Sequence, residues 1–204
     1  MKHLPPLVLA LFVIAAGAFP AAAQQMESHL HMDHVLKAWP QTAGGAGLLP
    51  AAQASANDAL QAAWFVRGYA GDRSRLRDSV RGLVAALNQN FGLRRAAAGI
   101  ADHIGFAAAA ADASDNVKLH AVHVAASAAN VVRWADEAVA LARTVRFSTR
   151  PGVAEDAAAR IYTLVEQMIG GVDADGDGTI SWRDGEGGLA QAEQHMGFMV
   201  QGES

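Results

Sequence analysis

The chain has 204 residues, a formal net charge of −4 and no cysteine. That length holds one or two domains, and the missing cysteine excludes disulfides, thiolate metal sites, c-type haem attachment and a cysteine nucleophile. Mild acidity argues against nucleic acid as a partner.

In chain order, Met1-Lys2 precedes an apolar run, Leu7 to Phe19, and Ala21-Ala22-Ala23 offers a small-residue cleavage site before Gln24. Residues 1–23 therefore read as a secretory signal peptide, and the remainder is expected in the periplasm or outside the cell. No later stretch has the length and apolarity of a membrane span, so no transmembrane anchor is expected after cleavage.

Alanine dominates the middle of the sequence and aromatics are scarce at 6%. Alanine is the strongest helix former, and its small side chain lets helices approach closely. No strand alternation appears. The spacing predicts helices over about 26–39, ended by Pro40 and the glycines near 44–47, and over 50–69, with Pro50 acceptable in a first turn. Further helices are expected over 73–88 and 93–111. A long stretch capped by Ser114 or Asp115 then runs to Arg146, with a break near 128–130.

These helices look repeated. His31-Met32-Asp33-His34-Val35 aligns with Leu76-Arg77-Asp78-Ser79-Val80, and the same shift aligns Gly47-Leu48 with Gly92-Leu93. His120-Ala121-Val122-His123-Val124 fits as a third copy. The pattern predicts three helical hairpins over 26–148, each unable to bury its apolar face alone and therefore packed on the others.

Arg150-Pro151-Gly152 reads as a linker to a second unit over 152–204. Within it, Ile161, Leu164, Val165, Met168 and Ile169 recur at helical spacing and lead into an acidic stretch, D-A-D-G-D-G-T-I-S-W-R-D, from Asp173 to Asp184. Its acids fall at positions 1, 3, 5 and 12, with Gly178 at position 6. A hard cation takes six to eight oxygens, and a short loop wraps them only by turning sharply midway, which glycine permits. The stretch resembles the EF-hand calcium loop. That resemblance implies carboxylates from Asp173, Asp175 and Asp177 and the backbone carbonyl of Thr179. It also implies Ser181, directly or through water, with Asp184 closing the shell. Two departures stand out. Asp184 replaces the commoner glutamate and has a shorter arm, and Gly185-Glu186-Gly187-Gly188 is a poor opening for the exiting helix over 189–200. With no second hand to cover its apolar faces, the unit is expected to pack on the bundle.

Beyond residue 23 the histidines are His29, His31, His34, His103, His120, His123 and His195. Two pairs, His31/His34 and His120/His123, are spaced H-x-x-H, which places both rings on one helix face. If those helices face each other, four imidazoles converge, a set suited to Zn²⁺ or Cu²⁺. The repeat alignment puts His103 beside Asp58 and Glu137, as further ligands or as groups orienting the imidazoles. Met26, Met32, Met196 and Met199 read as core fillers before thioether ligands. The arginines at 73, 75, 77 and 81 read as a solvated helix face. Glu-x-x-His pairs for a di-iron centre, a nucleophile elbow, H-E-x-x-H and a P-loop are all absent, so no enzyme class is specified.

The sequence thus predicts an all-α protein, an antiparallel bundle of three hairpin repeats followed by one EF-hand-like helix–loop–helix. Its expected function is calcium binding by an exported protein, the loop serving as a clamp at extracellular calcium levels. The alternative is a periplasmic copper- or zinc-binding protein that uses the paired H-x-x-H helices, with calcium structural.

Overall fold

The computed structural model describes residues 26–69, 72–89, 91–183 and 185–203. The expected signal peptide and Asp184 lie outside the described residues. Seven α-helices are described: α1 (Glu27–Leu36), α2 (Leu48–Gly68), α3 (Arg73–Asn88), α4 (Leu93–Ala109), α5 (Asp115–Phe147), α6 (Pro151–Gly170) and α7 (Leu189–Gly202). Extended pairing among the described residues amounts to a bridge between Ala38 and Ala46. The fold is all-α, as the alanine-rich composition predicts. None of the described helices is long and apolar enough to cross a membrane.

Helix α5 is the axis of the molecule. It runs unbroken for 33 residues and packs against α3, α4, α6 and α7. The break expected near 128–130 is absent, and with it the third hairpin. The physical reason is local: the stretch from Asp115 to Phe147 contains no glycine or proline to interrupt a helix. Ala128, Val131 and Ala135 are all fully buried against neighbouring helices. Ser114 caps its start, accepting from the Val117 N–H at 3.1 Å, as Asp72 caps α3 by accepting from the Ser74 and Arg75 N–H groups. The Ser114 cap stabilises by about 1 kcal/mol.

Pairing also departs from the hairpin expectation, because α1 packs chiefly on α4, while α2 packs on α3, α4 and α6. Alanine stripes explain the close approach. Ala52, Ala56, Ala59 and Ala63 of α2 are at most 1% exposed. The anticipated face of α6 is realised: Ile161, Leu164, Val165 and Met168 are fully buried. Pro151 is the first residue of α6 rather than part of a linker, a position where its missing N–H costs nothing. One buried cluster draws residues from all seven helices.

Three of the helices, α2, α4 and α7, start from the same corner: Gly47-Leu48, Gly92-Leu93 and Gly188-Leu189. In each, the glycine presses on the end of the preceding helix. A Cβ at Gly47 would lie 2.5 Å from the Leu36 carbonyl carbon, one at Gly92 2.6 Å from the Ala86 oxygen, and one at Gly188 2.6 Å from the Gln167 oxygen. The leucines that follow are 0, 0 and 2% exposed. The glycines before α7 are therefore close-approach points: Gly188 lies against the end of α6 and Gly187 against Ser127 of α5.

Candidate metal centres

Helix α1 is anchored by Met32 and Val35, which are buried. The H-x-x-H spacing then places His31 and His34 together on an adjoining strip, half-buried. On α4, Ile100, Ile104 and Ala107 are fully buried and His103, beside them, is 9% exposed. Nδ1 of His103 lies 3.0 Å from Nδ1 of His31 and 3.3 Å from Nδ1 of His34. The ligating atoms of all three lie within 4.8 Å of one another.

A second centre repeats the first on different helices. Helix α5 contributes His120 and His123, and α7 contributes His195. Nδ1 of His195 lies 3.0 Å from that of His120 and 3.3 Å from that of His123, again with all three inside 4.8 Å. Ring geometry matches as well. The His31–His103 centroids are 5.3 Å apart at 41°, and the His120–His195 centroids 5.2 Å apart at 32°. A phenylalanine flanks each centre: Phe106 lies 5.3 Å from His31, and Phe198 5.4 Å from His120. Both come from the same short pattern, His103-Ile104-Gly105-Phe106 and His195-Met196-Gly197-Phe198.

Hydrogen bonding explains this convergence poorly. A neutral imidazole Nδ1 carries either one proton or one in-plane lone pair, yet His103 and His195 each meet two nitrogens through that single atom. Three nitrogens each about 2.0–2.1 Å from a tetrahedral ion are about 3.3–3.4 Å apart, close to the spacing seen. The rings are also biased toward the neutral, ligating form. Burial, then its histidine neighbours His123 and His120, pushes His195 down to about 4. Burial is likewise the first cause lowering His34, His103 and His123. It is reinforced by His31 at His34, by His34 and His31 at His103, and by His120 and Arg183 at His123.

A tryptophan closes on each centre from a loop. Trp39, in the turn between α1 and α2, has its ring 4.5 Å from His103 and 4.9 Å from His34. Trp182, in the acidic stretch, stacks on His123 at 4.0 Å and 20°.

In that stretch, carboxylate oxygens of Asp173, Asp175 and Asp177 lie within 4.8 Å of one another. Asp173 accepts from the N–H groups of Gly176 at 2.8 Å and Gly178 at 3.0 Å, and Asp177 from the Thr179 N–H at 2.8 Å. Gly178 turns the chain with φ +87°, where L side chains are strained. The N–H and hydroxyl of Ser181 both donate to Glu186 at 2.9 Å. Glu186, 3% exposed, also accepts from the Ala174 and Asp175 N–H groups. These donors, the Ser181 N–H foremost, hold its carboxyl below the usual range. No pattern in the sequence marks this residue as the internal tie of the loop.

The two H-x-x-H pairs do not share a site. His31 and His34 meet His103, while His120 and His123 meet His195, because α1 packs on α4 and α5 on α7. Asp58 and Glu137 do not join His103: Asp58 lines a groove with Tyr69 and Arg75, and Glu137 pairs with Arg160 at 2.9 Å. The repeat alignment presupposes three hairpins, of which the third is absent because α5 is unbroken, while α1 packs chiefly on α4 rather than on α2. His195 was absent from the expected ligands, although the recurring H-x-G-F would have found it. Met32, Met196 and Met199 are buried in the core, whereas Met26 is 43% exposed.

No family model matches the chain, and neither the curated proteins nor the solved structures yield a match.

Proposed function

We propose that this is an exported metal-binding protein with two transition-metal centres, His31/His34/His103 and His120/His123/His195, and a calcium loop at Asp173–Asp184. The observation that carries the reading is the same three-imidazole constellation built twice, on different helix pairs, with Nδ1 separations of 3.0 and 3.3 Å in both. Imidazole donors suit copper and zinc, and a set without carboxylate gives calcium or magnesium no hold. Three protein ligands leave a further position for water or an exchanging donor, which fits an ion that is taken up and passed on.

The helix–loop–helix of α6, the acidic stretch and α7 is read as a single EF-hand-like unit. Asp173, Asp175 and Asp177 supply charge, Gly178 the turn, and Asp184 the closing carboxylate. Extracellular modules of this kind bind at about 10⁻⁴–10⁻³ M, which assigns calcium the part of a structural clamp. The α6 face buried against the bundle supports that part. Reversible binding of the transition-metal ions, rather than catalysis, is the proposed role.

The test is equilibrium dialysis of the untagged, metal-stripped full chain against zinc. Two ions per chain are expected, one fewer in His103→Ala, one fewer in His195→Ala and none in the double variant. Wild-type protein that takes up no zinc, or a single variant that loses both ions, would refute the reading.

A further inference from the structure

The two centres match in their histidines and phenylalanines but not in what the neighbouring loop contributes. Trp39 reaches the first centre from a turn that carries no acidic cluster. Trp182 reaches the second from position 10 of the acidic loop, and its stack on His123 is the shortest and among the most nearly parallel ring contacts described. The chain leaving the loop also leads into the helix that carries His195. His195 lies on α7, whose start is fixed where Gly188 presses on the end of α6. On the α5 side, Asn130 donates to the Gly187 carbonyl at 3.1 Å, and Gly187 packs against Ser127. Of these contacts, the Trp182–His123 stack touches a histidine centre directly, while those of Gly187 and Gly188 seat the start of the helix that carries His195; none of them reaches the first centre.

We propose that the second centre is governed by the acidic loop. Calcium in the loop fixes Trp182 and the start of α7, and so raises the affinity of His120/His123/His195 for a transition-metal ion, leaving His31/His34/His103 unaffected. The proposal rests on the metal-binding reading of both the loop and the histidines. Filling the loop draws its oxygens inward, which narrows the positions open to Trp182 and to the first turn of α7. A ligand shifts an equilibrium by its differential affinity for the two arrangements, and the arrangement calcium favours is the one in which His123 and His195 are already aimed. Linkage makes the effect reciprocal: zinc in the second centre tightens calcium by the same factor.

The experiment is a competition titration of zinc into the full chain with and without millimolar calcium. His31→Ala/His34→Ala isolates the second centre, His120→Ala/His123→Ala isolates the first, and calorimetry records calcium binding in each. Calcium is expected to tighten zinc about fivefold or more at the second centre, the lower range of measured couplings, with no change at the first. Trp182→Ala in the first of these backgrounds should bring the two zinc affinities together, and Trp182→Phe should restore most of the difference. Both ions binding with mutually independent affinities would overturn the coupling and leave the metal reading standing. So would an equal effect at both centres. Absence of calcium heat, or of zinc uptake, would overturn the coupling together with the reading beneath it.

Discussion

His195 and Glu186 are two residues through which pH acts on this structure. The folded protein holds His195 at about 4 against its ordinary 6.5, so between those values the unfolded chain binds more protons than the native one. Stability then rises with pH across that window and falls on acidification from 6.5 toward 4. Glu186 is lowered from 4.5 by the amides that donate to it; its contribution is present above 4.5 and is lost as pH falls through its folded value. The thermal midpoint of metal-free protein should therefore drop in two stages on acidification. His195→Ala should make the upper stage shallower, and Glu186→Gln should lower the midpoint at neutral pH and flatten the lower stage. Calorimetry from pH 3 to 8 checks both; an unchanged upper slope in His195→Ala would contradict the assignment. At this scale two of the three rings of each centre were legible as H-x-x-H, and His103 was among the expected ligands as well. H-x-x-H announces two rings on one helix face, but which pair the third ring joins depends on helix packing, and for His195 the only sequence mark is the H-x-G-F it shares with His103. Glu186 was illegible for a similar reason, since its partners are backbone amides that any residue supplies.

Among the elements, the glycine corners carry the sharpest expectation. At Gly188 a Cβ would meet backbone atoms at 2.6–2.9 Å, which cannot retreat as a flexible side chain would. Gly188→Ala is expected to cost about 1–3 kcal/mol, the usual range for forced overpacking. Gly82, inside α3, meets nothing closer than 3.9 Å, so Gly82→Ala should gain up to about 1 kcal/mol from helix propensity. Urea denaturation of the two variants decides the point, and a neutral Gly188→Ala would remove the close-approach account of where α7 starts. Helix positions followed well from the sequence because alanine content, caps and glycine punctuation act locally. The third hairpin failed where the argument was one of self-alignment instead of mechanics: nothing between Asp115 and Phe147 stops a helix. Pro151 misled in the opposite direction, being equally at home in a linker and in a first turn.

For the whole molecule, what matters is that α1 joins α4 and α5 joins α7, since each junction assembles one histidine centre. Glu203, near the end of the chain, holds these pairs together. It accepts from the Ser114 hydroxyl, and His29 Nε2 lies 3.2 Å away, so one carboxylate meets the beginnings of α1 and α5. Composition disclosed the all-α class, yet helix partnership was hidden, because alanine faces are nearly interchangeable and any two can be laid together on paper. The central claim is that two matched ions sit on these junctions. X-ray absorption at the zinc edge, on the full chain loaded to saturation, tests it most directly. The account predicts two ions per chain, a first shell of nitrogen and oxygen without sulfur, and outer-shell scattering from three imidazoles per ion. A single ion per chain, or a shell of carboxylate oxygens without imidazole scattering, would contradict it.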